Sequence, residues 1–289
     1  MRGRPHTGTG RAGAIWLCAL LVLLVAAPGA SAQALGDPLA PFRPAESEPP
    51  PDEKPPPPPP PPPAPKEGEK KKTPRTVTRV VSNERTVSRW AYVLRTTTAR
   101  RSSTRRAKAI LRLRTYTGDN TPELVLVLAE RTLPNGSQWL LVRLPMRPNN
   151  QKGWVPRRHL GRLHTVRTHL RLNRRTFRAT LYERGRRIWS APIGVGKRQW
   201  PTPGGRFYIR NRLVPREKGG IYGVLAFGTS GHSSVLTDWP GGGVVGIHGT
   251  NRPEILRRGR ISHGCVRMTN RNILKLARLV EVGTPLSIR

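Results

Sequence analysis

The chain has 289 residues, with 52 Lys+Arg against 16 Asp+Glu and a net charge of +36. A field of that sign favours a polyanion as surroundings or partner, and by itself it specifies no chemistry. The only cysteines are Cys18 and Cys265, which excludes a multi-disulfide scaffold as the source of stability.

In chain order, the first segment reads as an export signal. Arg2, Arg4 and Arg11 form a basic region, Ala14 to Ala27 is an unbroken apolar run, and Ala30-Ser31-Ala32 has the small-x-small pattern of a cleavage site. That run is shorter than the roughly 20 residues that span a bilayer, which favours a cleaved signal over 1–32, with an uncleaved anchor as the alternative. No later stretch is long and apolar enough for a membrane helix. The expected location is therefore outside the cytoplasmic membrane, where anionic wall polymers or lipid headgroups are nearer polyanions than nucleic acid. Cleavage would remove Cys18 and leave Cys265 unpaired. A lone thiol there is either a buried, inert small hydrophobe or a used one.

Residues 33–75 contain the run Pro55–Pro63 between charged flanks, including Lys70-Lys71-Lys72. With little apolar surface to pack, this reads as a polyproline II spacer and charged coil, reaching up to about 100 Å at ~3.1 Å per residue.

Residues 76–162 read as a small β domain. Trp90–Leu94, Glu123–Leu128 and Trp139–Leu144 are short apolar runs, and Pro134-Asn135-Gly136-Ser137 supplies a hairpin turn between the last two. Pro145 to Lys152 is a tight loop before Gly153-Trp154-Val155. About five short strands over this length suggest a small barrel. The Trp139–Leu144 strand followed by Gly153-Trp154-Val155 resembles a bacterial SH3-like domain, which implies peptidoglycan binding or substrate positioning. A purely structural spacer is the alternative.

Residues 163–289 read as a second β-rich domain. Leu170-Arg171-Leu172 leads through Asn173-Arg174-Arg175 to Thr176–Tyr182, and Glu183-Arg184-Gly185-Arg186 turns into Ile188–Val195. Pro201 to Gly205 is a rigid connector, and Pro240 to Gly243 marks another turn before Val244–His248. A single helix is expected, capped by Thr269 or Asn270, with Ile273, Leu274, Ala277 and Val280 at helical spacing and Gly283 and Pro285 ending it. The expected class is mainly β with one clear helix.

The chemistry concentrates in Ile247-His248-Gly249-Thr250 and Ser262-His263-Gly264-Cys265-Val266-Arg267-Met268. A free thiol is mostly protonated at neutral pH and needs a base to become a nucleophile. His263, two residues before Cys265, would share its face in an extended segment, though not in a tight turn. His248 ends an apolar strand and can approach from across the sheet. Gly264 lets backbone amides crowd a reacting carbonyl, and Gly249 allows close approach beside His248. A zinc site from His248, His263 and Cys265 with His232 or Asp238 is the weaker reading, because no Cys-x-x-Cys or His-Glu-x-x-His spacing is present. No metal or cofactor is expected.

His-Gly-Thr followed by Ser-His-Gly-Cys-Val-Arg-Met resembles the active-site signature of the L,D-transpeptidase catalytic domain, the YkuD family. Pro201–Gly205 and Val282-Gly283-Thr284-Pro285-Leu286-Ser287-Ile288 add to the resemblance. It implies a YkuD-type β-sandwich or barrel, with Cys265 as nucleophile and His248 as proton donor and acceptor. The Gly249 carbonyl would orient the His248 ring, and His263 and Gly264 would line an oxyanion hole with the Cys265 amide. Arg267 and Ser262 would contact substrate, and Tyr222 would sit in a flap over the site. The implied reaction is acyl transfer between peptidoglycan stem peptides, with release of D-alanine and 3→3 cross-linking, and carbapenem-type inhibitors are expected to acylate the thiol. Rival readings are an L,D-carboxypeptidase, a cysteine peptidase acting on wall peptides, a non-catalytic wall-binding protein and a nucleic-acid binder. The export signal disfavours the last, and the order histidine before cysteine disfavours the peptidase.

Overall fold

The computed structural model describes residues 75–217, 219–237 and 242–289. The signal segment with its anchor alternative, the 33–75 spacer as far as residue 74, Asp238 and the first residues of the Pro240–Gly243 turn lie outside the described residues.

The first sheet is built from β1 (Val77–Val80), β2 (Ser88–Tyr92), β3 (Thr97–Arg100), β4 (Ala109–Leu113), β5 (Leu124–Thr132), β6 (Gln138–Arg143), β7 (Lys152–Pro156) and β8 (His164–Val166). Its order is β4-β3-β7-β6-β5-β2-β8, with β1 pairing β5, and the pairing is antiparallel. The Pro134–Ser137 turn joins β5 to β6 with Gly136 at φ +78°, in the left-handed region that favours glycine, and the ladder starts at Thr132 and Gln138.

β5 explains itself once both of its faces are seen. Val125 and Val127 pack with Ala91, Leu140 and Val155, while Leu124, Leu126 and Leu128 pack with Trp90, Val166 and Tyr208. A strand covered on both sides reads as a continuous apolar run rather than an alternating one. Tyr208 comes from the second half of the chain, so β5 is where the two halves meet.

The second half contains β9 (Thr168–Asn173), β10 (Arg178–Glu183), β11 (Arg186–Pro192), β12 (Val195–Gly196), β13 (Gly205–Leu213), β14 (Ala226–His232), β15 (Val244–His248), β16 (Arg260–Ser262), β17 (Val266–Arg267), α1 (Asn270–Leu279) and β18 (Pro285–Ile288). Eight of these strands form a sheet in the order β11-β10-β9-β18-β13-β14-β15-β17, and β12 pairs separately with β16. Arg184 and Gly185, both at positive φ, make the two-residue turn between β10 and β11. The chain crosses between sheets at Arg167, a few residues beyond the junction read at 162/163, because His164–Val166 pairs back onto β2.

α1 is capped by Thr269, whose Oγ1 accepts the Asn272 N–H at 3.2 Å. Ile273, Leu276, Ala277 and Val280 close the core of the second sheet against Phe207, Phe227, Ile247 and Met268. Leu274, counted on the apolar face from its spacing, is 43% exposed, and Leu276 takes the inward position. Each fully buried leucine or isoleucine contributes about 1.5–3 kcal/mol relative to exposure.

The described residues fall in one compact unit, and polar contacts tie its two sheets together. Arg210 Nε donates to Glu123 Oε1 at 2.8 Å, and Tyr208 Oη donates to the Leu124 carbonyl at 3.1 Å. Gly283, at φ +78°, packs so close to the Trp90 indole that a Cβ would lie 2.2 Å from it.

Candidate active site

Parallel pairing of β15 with β17 sets Ile247 beside Val266 and His248 beside Arg267. Ile247 and Val266 enter the core, so the alternate positions Gly246, His248, Cys265 and Arg267 turn to the other side. There His248, Cys265 and Arg267 border a cleft of about 190 Å³ together with Tyr222, Ser233, Leu236, Ser262 and His263.

His248 is buried, and its Nδ1 lies 2.6 Å from the Gly249 carbonyl oxygen. A carbonyl only accepts, so Nδ1 carries the hydrogen and Nε2 keeps a free lone pair in the neutral ring. Burial pushes the imidazole down to about 4; the Gly249 carbonyl opposes that shift and the Arg267 guanidinium adds to it. At neutral pH the ring is an unprotonated base.

Cys265 is half-buried, and its Sγ accepts the Gly246 N–H at 3.4 Å. Burial pushes the thiol above its ordinary range, while the Gly246 N–H and the Arg267 charge pull it back. The resting pair is therefore a neutral thiol and a neutral imidazole, not a preformed ion pair. Arg267 lines the same cleft, and its buried Nε has no hydrogen-bond partner among the described residues.

The turn before the thiol separates the two histidines. Gly264, at φ +116°, breaks the extended path that would have put His263 on the face of Cys265. His263 is exposed, and its ring packs on Trp200 with centroids 4.1 Å apart. The Gly264 N–H donates to Ser262 Oγ at 3.1 Å, and Ser262 Oγ donates to the Cys265 carbonyl at 2.5 Å. Gly264 thus shapes the turn but does not lend its own amide to a reacting carbonyl. The Ser262 hydroxyl is engaged within the loop, and Ser262 also borders the cleft. The Cys265 amide enters no turn or loop hydrogen bond among the described residues. Tyr222 packs edge-on to the His248 ring, with centroids 4.9 Å apart.

Two residues not assigned to the site from the sequence organise these parts. Asn270, read as a possible cap, instead uses Oδ1 to accept the N–H groups of Val224 and Thr250, tying the Tyr222 segment to the residues after His248. A Cβ on Gly249 or on Gly223 would come within 2.2 Å of that oxygen. Thr202 Oγ1 donates to the Gly264 carbonyl at 2.7 Å and accepts the Gly196 N–H at 2.8 Å, so the Pro201–Gly205 connector props the cysteine turn.

The zinc reading gains no geometry. His232, weighed as a fourth ligand, is held neutral with a pKa of about 4 by burial and by the Arg147 and Arg210 charges. Among the described residues no group of three or more His, Cys, Asp or Glu could hold a metal ion.

A histidine whose Nδ1 is held by the next carbonyl, sharing a cleft with a thiol just before the neighbouring strand, is the feature that comparison with known proteins addresses. Residues 167–288 match the model of the YkuD family, the L,D-transpeptidase catalytic domain. The chain is 41% identical over 117 residues to the putative L,D-transpeptidase YkuD of Bacillus licheniformis, spanning 40% of this chain and 61% of the relative. It is 37% identical over 109 residues to YkuD of Bacillus subtilis, spanning 38% and 58%. The match thus spans about three fifths of the length of these curated relatives. The crystal structure of the Enterococcus faecium L,D-transpeptidase C442S mutant is 26% identical, with a TM-score of 0.33, over 42% of this chain and 49% of that one.

A larger cleft of about 670 Å³ is lined by residues of the first sheet and its loops, outside the matched region 167–288. Arg105, Arg106 and Arg158 border it with Ser103 and Trp139, and none of these three arginines forms an ion pair among the described residues. Burial lowers the pKa of His159, and the charges of Arg158, Arg95 and Arg105 lower it further, which is the mark of an uncompensated positive field at this face.

Proposed function

We propose that the chain is an exported peptidoglycan L,D-transpeptidase with Cys265 as nucleophile and His248 as general base and acid. The observation that carries this reading is the His248 tautomer: with Nδ1–H held by the Gly249 carbonyl, the Nε2 lone pair faces a cleft shared with the thiol.

Nε2 takes the thiol proton as Sγ attacks the carbonyl carbon of the third residue of a tetrapeptide stem. The negative charge that develops on the carbonyl oxygen is met by the Cys265 amide, and His263 lies at the mouth of that pocket. Collapse breaks the bond to the terminal D-alanine, whose nitrogen takes the proton from His248, and a thioester to Cys265 remains. The amine of a second stem attacks this thioester, His248 again moves the proton, and a 3→3 cross-link leaves with the thiol restored. Arg267, with an unpartnered buried Nε, offers a charge-assisted donor to a stem carboxylate. Tyr222, over the His248 ring, serves as the flap residue. Water attacking the thioester in place of the amine would make the enzyme a carboxypeptidase.

The first half is proposed as an SH3-like wall-binding domain. Its basic cleft supports contact with anionic wall polymers, in keeping with a chain of net charge +36.

Incubation of the protein with purified disaccharide-tetrapeptide tests the reading. A cross-linked dimer plus free D-alanine is expected, whereas shortened stems without dimer indicate carboxypeptidase, internally cleaved stems a peptidase, and unchanged stems a binding protein. Intact-mass spectrometry with meropenem is expected to find a single covalent adduct, and an adduct that survives Cys265→Ala would remove Cys265 from its assigned role.

A further inference from the structure

The loop between β6 and β7 belongs to the first sheet, yet three of its side chains reach the YkuD domain. Asn150 Oδ1 accepts the Arg206 N–H at 2.7 Å. Asn149 makes a two-way bond with the His232 backbone, donating from Nδ2 to the carbonyl at 2.7 Å and accepting the N–H at 2.9 Å. Arg147 goes furthest. Its Nε donates to the Ser233 carbonyl at 2.7 Å, and one Nη donates to the carbonyls of Leu236 and Gly242 at 2.9 Å each.

Those three carbonyls belong to the connection between β14 and β15, the strand that ends in His248. Ser233, Leu236 and Gly243 of this connection also line the cleft around Cys265, while Arg147 itself does not. The base of the connection is closed by the Ser233 N–H on the Gly243 carbonyl at 2.8 Å, and the Leu236 N–H donates to Ser233 Oγ at 3.0 Å. Gly243 sits at φ +68°, and a Cβ there would lie 2.5 Å from an Arg147 nitrogen. The backbone has therefore closed tightly around the guanidinium. A planar cation with several fixed donors suits three carbonyls arriving from different directions, and an ammonium cannot reproduce that geometry.

We infer that Arg147 is a positioning residue for the catalytic cleft, through which the first domain holds residues 233–237 and 242–243 as a wall of the substrate site. The first domain is then a structural part of the active site as well as a wall-binding module. The substrate half of this inference rests on the L,D-transpeptidase reading; the clamp itself rests on the hydrogen bonds alone.

The test compares the full chain with its Arg147→Ala and Arg147→Lys variants. Hydrogen–deuterium exchange in peptides covering 233–237 and 242–245 is expected to accelerate about ten-fold in Arg147→Ala and less in Arg147→Lys, while β5 and β6 peptides stay unchanged. Cross-linking of disaccharide-tetrapeptide is expected to lose about ten-fold in kcat/KM, mainly through KM, while alkylation of Cys265 by iodoacetamide stays within about two-fold. Unchanged exchange in a folded variant overturns the clamp. Faster exchange with wild-type kcat/KM, or equal losses in turnover and alkylation, overturns the positioning role. If Arg147→Ala does not fold, Arg147→Lys decides by the same readouts. If the wild-type chain forms no cross-links, the transpeptidase reading fails, and the exchange measurement still decides the clamp.

Discussion

His248 donates its Nδ1–H to the carbonyl of its own neighbour, Gly249, at 2.6 Å. The orienting acceptor is thus a backbone dipole, which fixes the tautomer without adding a negative charge. Without a carboxylate to stabilise an imidazolium, burial dominates and keeps the ring neutral.

That arrangement has a pH signature. His248, His169 and His232 each have a folded pKa of about 4 against an ordinary 6.5. Between those values the unfolded chain binds more protons than the folded one, so stability rises with pH from about 4 to about 6.5. Thermal melts across this window are expected to show Tm falling as pH drops. The acid limb of kcat/KM is expected below the usual histidine range, because the base stays unprotonated there. An acid limb centred near 6.5 would contradict the neutral, buried ring.

Gly249 leaves no room for a side chain. A Cβ would lie 2.2 Å from Asn270 Oδ1 and 3.3 Å from the Gly223 Cα. Gly249→Ala is expected to cost about 1–3 kcal/mol in denaturant unfolding by overpacking. It is also expected to lower kcat/KM by about 100-fold, because the carbonyl that holds His248 must move. A stable variant with wild-type turnover would show that the Asn270 junction yields without disturbing the ring.

Glu123 and Arg210 form an ion pair at the junction of the two sheets, with side-chain exposures of 3% and 15%. Glu123→Ala leaves the guanidinium without its counter-charge, and a loss of about 3–5 kcal/mol is expected in urea unfolding. Replacing both residues, as Glu123→Leu with Arg210→Met, is expected to cost less than the single change. A double-mutant cycle measures the difference.

The cleft of the first sheet can be separated from catalysis. Changing Arg105, Arg106 and Arg158 together to Glu is expected to weaken binding to a polyphosphodiester wall polymer by about ten-fold or more at low salt and to flatten the salt dependence. Cross-linking of small soluble stem substrates should be unaffected. Equal polymer binding by wild type and variant would assign the affinity to the diffuse charge of the chain.

Local chemistry made much of the fold legible in the sequence. Asn135-Gly136 and Arg184-Gly185 mark hairpins because few residues tolerate positive φ, and the Ile273-Ala277-Val280 spacing marks the helix because one face must be buried. The clustering of His248, Cys265 and Arg267 was visible as residue types at close spacing. Their relative placement was not, because it depends on register. Only the parallel pairing of β15 with β17 puts His248, Cys265 and Arg267 on one side, and only the tertiary structure packs His263 on Trp200 at the border of the same cleft. The engagement of Ser262, the junction made by Asn270 and the reach of Arg147 across the domain boundary had no sequence signal. Each is a single polar side chain whose partners are backbone groups, and backbone groups carry no residue identity. The sequence by itself determined the strands, the turns and the reactive residue types; the tertiary structure decided which side chains and which loop share a cleft with the thiol, since those follow from long-range pairing that only packing selects.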